Sequence, residues 1–250
     1  MGDPTRLYGL NALVLNAGDG IGEAIARTLV KHGAEVVAVA GANSGVEAHY
    51  AAVKGITGMV CGLSDADAMA EMVERATGIL GQIDIVVNDF PVRLDQPQQA
   101  VDADFESLLN TRAMLITAVY AAVLPQLKNS PQGRIINIGL LRSCFAIDGE
   151  AAYADAEADL ASLTRELAAE TGEFGITVNY VQPGSIMTPA AREVFRKDQS
   201  LRDHCIRASA ASRLGEPLEV AKVALFLASA DAVFVSGTGV TVDGGPAPAT

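Results

Sequence analysis

Short runs of β-branched and aliphatic residues recur along this chain, each followed by a stretch of helical periodicity. No other feature constrains the fold as strongly. Runs at 13–15, 36–39, 57–61, 83–87, 135–138, 176–181 and 239–242 read as strands. After the first run, Ile21, Ala24, Ile25, Thr28 and Leu29 recur at helical spacing. Further helices are expected from about residue 65, over 101–127 and over 150–170. Strands alternating with helices through short connections predict an α/β fold: a single-domain, Rossmann-type doubly wound parallel sheet of about seven strands with helices on both faces. The chain has 250 residues, half of them hydrophobic, and no Trp. That is enough for one core of small and branched aliphatics, in one domain over 1–250.

Charge and composition narrow the function. The formal net charge is −12 and no basic stripe stands out, which argues against nucleic acid and against an anionic membrane surface as partners. Cys61, Cys144 and Cys205 lack metal-ligand spacing and read as reduced thiols, so no metal is expected. No run approaches transmembrane length and residues 1–10 carry no apolar signal region, so a cytoplasmic location is expected. His32, His49 and His204 fall on unrelated elements without a nucleophile and carboxylate in register, and surface positions are expected for all three.

Doubly wound sheets bind ligands at the carboxyl ends of their strands. The first strand-to-helix turn reads Asn16-Ala17-Gly18-Asp19-Gly20-Ile21-Gly22, a place where a pyrophosphate could rest on backbone N–H groups. Glycine is also what any tight turn needs, so the turn alone decides little.

Several further motifs fall in order. They are Gly20-Ile21-Gly22, Asp84-Ile85-Val86-Val87-Asn88, Asn110, Gly133-Arg134-Ile135-Ile136-Asn137-Ile138, Tyr153, Pro183-Gly184 with Ile186 and Thr188, Arg213-Leu214-Gly215-Glu216-Pro217, and Val242-Asp243-Gly244-Gly245. With these marks the whole chain resembles the short-chain dehydrogenase/reductase family. The resemblance implies a dinucleotide crevice, a catalytic tetrad of Asn, Ser, Tyr and Lys, and a lid-like helical segment, here 187–212.

Against that pattern the chain departs where the chemistry would be. The resemblance puts the family's Lys, four residues after the Tyr, at Glu157, which keeps the helix face and reverses the charge. A neighbouring cation lowers a phenol's pKa and a carboxylate raises it, so Tyr153 beside Glu157 is a poorer proton shuttle. The family's Ser falls on Leu140, which has no hydroxyl; Ser143 lies out of register. The first Gly of the phosphate turn is Asn16, the ribose-reading acid after the second strand is Ala40, and the adenine-contacting Asp is Gly62. The Asn-Asn-Ala-Gly motif has become Asn88-Asp89-Phe90-Pro91, which puts Phe90 and Pro91 beside the expected ribose path. Only Gly20, Gly22 and Thr188 persist among the cofactor positions. Asn110, Leu140, Tyr153 and Glu157 therefore read as a degenerate tetrad, and no dinucleotide is expected on this chain.

The resemblance then implies the non-catalytic subunit of a heteromeric family member. Its active partner subunit would carry NAD and oxidise a β-hydroxyacyl-CoA, as in anaerobic toluene degradation, within a heterotetramer. Family members assemble through two long helices and the last strand. Here Ala154, Ala158 and Ala161, then Leu108, Met114, Leu115, Val119 and Val123, then 223–227 and 239–242, are the candidate contacts. Two alternatives stand beside this. One is an enzyme of altered chemistry, a lyase, isomerase or dehalogenase-like protein using Tyr153 and Glu157. The other is a regulatory domain sensing a small ligand in the crevice. Phe90 filling the crevice would count against both.

Overall fold

The structure is a computed structural model and describes residues 6–62, 65–90, 103–145 and 150–246. Seven strands form one parallel sheet: β1 (Asn11–Val14), β2 (Glu35–Ala40), β3 (Ile56–Val60), β4 (Ile85–Asn88), β5 (Arg134–Ile138), β6 (Thr177–Pro183) and β7 (Gly239–Val242). Their order is β3-β2-β1-β4-β5-β6-β7, every pair parallel. Eight α-helices accompany them among the described residues: α1 (Gly20–Lys31), α2 (Val46–Tyr50), α3 (Ala66–Leu80), α4 (Ala103–Asn129), α5 (Glu150–Thr171), α6 (Pro189–Lys197), α7 (Gln199–Arg207) and α8 (Pro217–Ala228). The doubly wound sheet expected from the sequence is present. The short helix α2 was not anticipated, because five residues hold too little periodicity to register.

Period-two alternation divides the core between the two faces of the sheet. Ala12, Val14, Val36, Ala38, Ile85, Val87, Ile136 and Ile138 face the layer that holds α1 and α8. Leu13, Leu15, Val37, Val39, Val86, Ile135 and Val178 face the layer of α3, α4 and α5. Each fully buried aliphatic contributes roughly 1.5–3 kcal/mol, so burial on both faces explains why nearly every strand position is apolar.

The candidate contacts on the long helices divide accordingly. Leu115, Val119 and Val123 are buried in the second layer and belong to the core, a correction to their reading as interface. Met114 is exposed. Ala154 and Ala158 are exposed on α5, whereas Ala156, Leu160 and Leu167 are buried. On α8, Leu225 and Leu227 are core residues and Phe226 is partly exposed. Leu108 and Cys144 lie outside the described side chains.

The segment 187–212 holds α6 and α7. Ala191, Phe195, Leu201, Cys205 and Leu214 form a small apolar cluster beneath them. Thr188 caps α6, its Oγ1 accepting from Ala191 N at 3.1 Å. Among the described residues no helix is long and apolar enough to cross a membrane, and no His, Cys, Asp and Glu cluster could hold a metal.

Candidate functional site

The strand order reverses between β1 and β4, and the crevice in which a doubly wound sheet binds ligands is expected at their carboxyl ends. The turn after β1 forms one wall. Leu15 N continues the ladder to Val87 O, and Ala17 N donates to Val39 O. Tyr50, buried on α2, donates its hydroxyl to Ala17 O at 2.6 Å and pins the turn from below. Burial, and then the charge of Glu23, push that phenol far above its ordinary value. At Gly22 a Cβ would lie 2.3 Å from Asn16 O, so the start of α1 tolerates only glycine.

Asn16 itself has φ 53, in the left-handed region. Asn is among the few side chains that accept this conformation. Its Nδ2 donates to Asp89 Oδ2 at 3.1 Å. Asp89 follows β4 directly and is buried, so the bond crosses the crevice at the switch point. Burial pushes the Asp89 carboxyl up to about 6; the Asn16 hydrogen bond and Arg112 oppose that rise, and Asp19 adds to it. Arg112 is also buried. Its Nε donates to Phe90 O at 3.3 Å and its Nη2 to Ile138 O. Burial draws its pKa down to about 10 against the pull of Asp89.

The positions for an adenosine are bare. Ala40 is buried and Gly62 carries no side chain. A Cβ on Gly18 would meet Ala40 and Ser44 Cβ atoms at 3.2 Å, so the loop after β2 closes onto the turn. Ser44 spends its hydroxyl on Gly41 O at 2.6 Å. Phe90, expected beside the ribose path, is buried in the apolar layer with Leu15, Val39, Cys61 and Met69. Pro91 lies outside the described residues. Thr188 packs over Gly20, 3.6 Å from the place of a Cβ there. Of the three retained positions, Gly20 and Gly22 shape the turn and Thr188 caps the helix above it.

The tetrad positions do not assemble around an open space. Leu140 is buried and offers only its backbone. Gln182 on β6, fully enclosed, donates Nε2 to Leu140 O at 3.0 Å and to the Tyr153 hydroxyl at 2.6 Å. Gly139 makes room for that carboxamide, since a Cβ there would lie 2.1 Å from Gln182 Oε1. Burial foremost pushes Tyr153 up to about 12; Gln182 and Arg142 oppose the rise and Glu157 adds to it. Arg142 sits 6.0 Å over the Tyr153 ring, and Glu157 is half-buried. Asn110 is exposed, and Arg112, one half-turn on, is the residue of α4 that reaches the strand carbonyls. Ser143 is buried in the turn that follows Leu140. Beside this region a small, open depression is lined by Arg142, Ser185, Cys205, Ser209, Arg213 and Asp243.

The same fold recurs in known proteins. The family profile described as "Enoyl-(Acyl carrier protein) reductase" matches residues 16–246. A 3-oxoacyl-(acyl-carrier-protein) reductase of Pseudomonas aeruginosa is 37% identical over 244 residues, covering 96% of this chain and 98% of that protein. This chain belongs to the short-chain dehydrogenase/reductase family. The oxidoreductase UcpA of Escherichia coli K12 is 33% identical over 251 residues, with 96% and 95% coverage. The crystal structure of 2-keto-3-deoxy-D-gluconate dehydrogenase from Streptococcus agalactiae superposes with a TM-score of 0.79 at 32% identity, covering 97% of this chain and 95% of that one. These family members are named as oxidoreductases. Sequence reasoning missed Gln182 and Arg112. A Gln in a strand and an Arg in a helix carry no motif, and their partners lie 29 or more and 22 or more residues away.

Proposed function

We propose that this chain is a non-catalytic structural subunit of a heteromeric short-chain dehydrogenase/reductase complex. The observation that carries this reading is the Tyr153 hydroxyl. It is buried and bound at 2.6 Å by Gln182, where a working phenol would meet a substrate oxygen. Beside it stand Leu140 without a hydroxyl and Glu157 in place of a cation. A phenol near 12 with no ammonium beside it holds its proton at neutral pH.

The residues present do not fit a dinucleotide. A side chain stands at the first turn position and bonds across the crevice, a buried carboxyl lies beside it, and no acid or cation ends β2 to read a ribose. No step is therefore assigned to NAD on this chain. In the complex, NAD belongs to the active partner, and the family resemblance suggests a β-hydroxyacyl-CoA as substrate. The (hydroxyphenylmethyl)succinyl-CoA dehydrogenase of anaerobic toluene degradation is the kind of assembly meant, and the proposed stoichiometry is a heterotetramer. Support for the acyl-CoA class comes from the resemblance, not from a residue of this chain. An altered chemistry through Tyr153 and Glu157 would need the phenol free, and Gln182 already holds it.

The test is Tyr153→Phe in the chain co-expressed with its genomic neighbours. Turnover of the purified complex should stay within twofold of the parent. A fall of more than tenfold in a folded complex would return Tyr153 to catalysis.

A further inference from the structure

The two departures at 16 and 89 look independent in the sequence, 73 residues apart, yet they touch. Both lie at the one point of a doubly wound sheet where ligands enter, between the ends of β1 and β4. Asn16 holds a left-handed backbone conformation there, and its amide faces a buried carboxyl. Arg112 backs that carboxyl from α4 while fastening the ends of β4 and β5 through Phe90 O and Ile138 O. A turn of this kind offers anions its backbone N–H groups. Here the neighbouring anion is supplied by the chain.

We propose that the Asn16–Asp89 bond, backed by Arg112, is a built-in latch that closes the glycine turn to phosphate and determines which ligands the crevice refuses. This deepens the reading of the chain as a subunit without dinucleotide and rests on it. The latch works in two ways. The Asn16 side chain occupies the approach that a glycine would leave open, and the Asp89 carboxylate repels a polyphosphate. The charged and polar groups facing Asp89 are Asn16 and Asp19 on the turn and Arg112 on α4. Protonating Asp89 removes the repulsion and leaves the hydrogen bond weaker, so the turn should accept an anion more readily in mild acid.

The experiment uses the full chain and three variants, Asn16→Gly, Asp89→Asn and the double. Inorganic pyrophosphate is titrated at pH 7.5, with folding checked by thermal melts. The double variant should bind at least tenfold tighter than the parent, and more tightly than either single. A folded double variant that binds no better than the parent overturns the latch. NADH is titrated into the parent in parallel. Micromolar binding there would overturn the non-catalytic reading itself, whatever pyrophosphate does.

A second measurement does not depend on the double variant folding. Sulfate keeps its charge between pH 5 and 7.5, so the thermal shift it produces, against chloride at matched ionic strength, reports the turn. The parent should gain more from sulfate at pH 5 than at pH 7.5, and Asp89→Asn should shrink that contrast. An equal shift at both pH values in the parent, or an unchanged contrast in Asp89→Asn, overturns the latch.

Discussion

At position 16 a backbone requirement and a side-chain bond coincide. The left-handed conformation costs an ordinary L-residue roughly 1–2 kcal/mol, and a hydrogen bond to a charged group contributes about 1.5–3 kcal/mol. Asn16→Ala loses both advantages and should lower stability by about 2.5–5 kcal/mol in urea unfolding. Asn16→Gly relieves the backbone and loses only the bond, so it should cost less. The reverse order would mean that the backbone at 16 is not held in the left-handed region, since both variants lose the bond equally. Asp89 gives a second residue-level outcome. Its folded pKa, near 6, lies above the ordinary carboxyl value of 3.8. Between about pH 4 and 6 the folded chain keeps a proton that the unfolded chain has released. The stability this group contributes is therefore full below pH 4 and is lost as pH rises through 6. Asp89→Asn should abolish that slope, so the stability difference between parent and variant should change between pH 4 and 6 and level off above. A difference independent of pH would contradict the assignment.

At the scale of elements, β1, β2, β4, β5 and β6 were legible because they are buried on both faces and so nearly continuous in apolar residues, whereas the edge strands β3 and β7 are only partly buried. The ends moved by a few residues: β6 runs on to Pro183 and β4 starts at Ile85, where ladder bonds rather than hydrophobicity set the limits. The positions of the site were legible too, through motif spacing. Their pairing was not. Asn16 with Asp89, and Tyr153 with Gln182, are contacts across the sheet, and one sequence shows each only as an isolated departure. Phe90 illustrates the same limit, since nothing in the sequence says which side of the strand end its ring takes. Caps are a middle case. The start of α8 reads Glu216-Pro217-Leu218-Glu219, and Glu219 accepts from Glu216 N at 2.8 Å and from Nη1 and Nη2 of Arg213. Hydrogen bonds from Arg213 hold its carboxyl down at about 2. Its contribution is present above the ordinary Glu value and lost as pH falls through 2. Glu219→Ala should cost about 1 kcal/mol, the usual value of a cap, in chemical unfolding at pH 7. No loss would show that solvent already screens the pair.

For the whole molecule, the division is between a scaffold that keeps its order and a crevice that has been rewired. The sheet order, the two core layers and the capped helices over the crevice follow the family. At the carboxyl ends of β1, β4, β5 and β6, side chains of this chain bond to one another: Asn16 to Asp89, Arg112 to the strand carbonyls, Gln182 to Tyr153. Such contacts tie the strand ends together through this chain's own side chains, which is what the proposed subunit role calls for. Calorimetric titration of NADH into the purified chain tests this most directly. The account predicts no heat of binding up to millimolar NADH, and saturable binding in the micromolar range would contradict it.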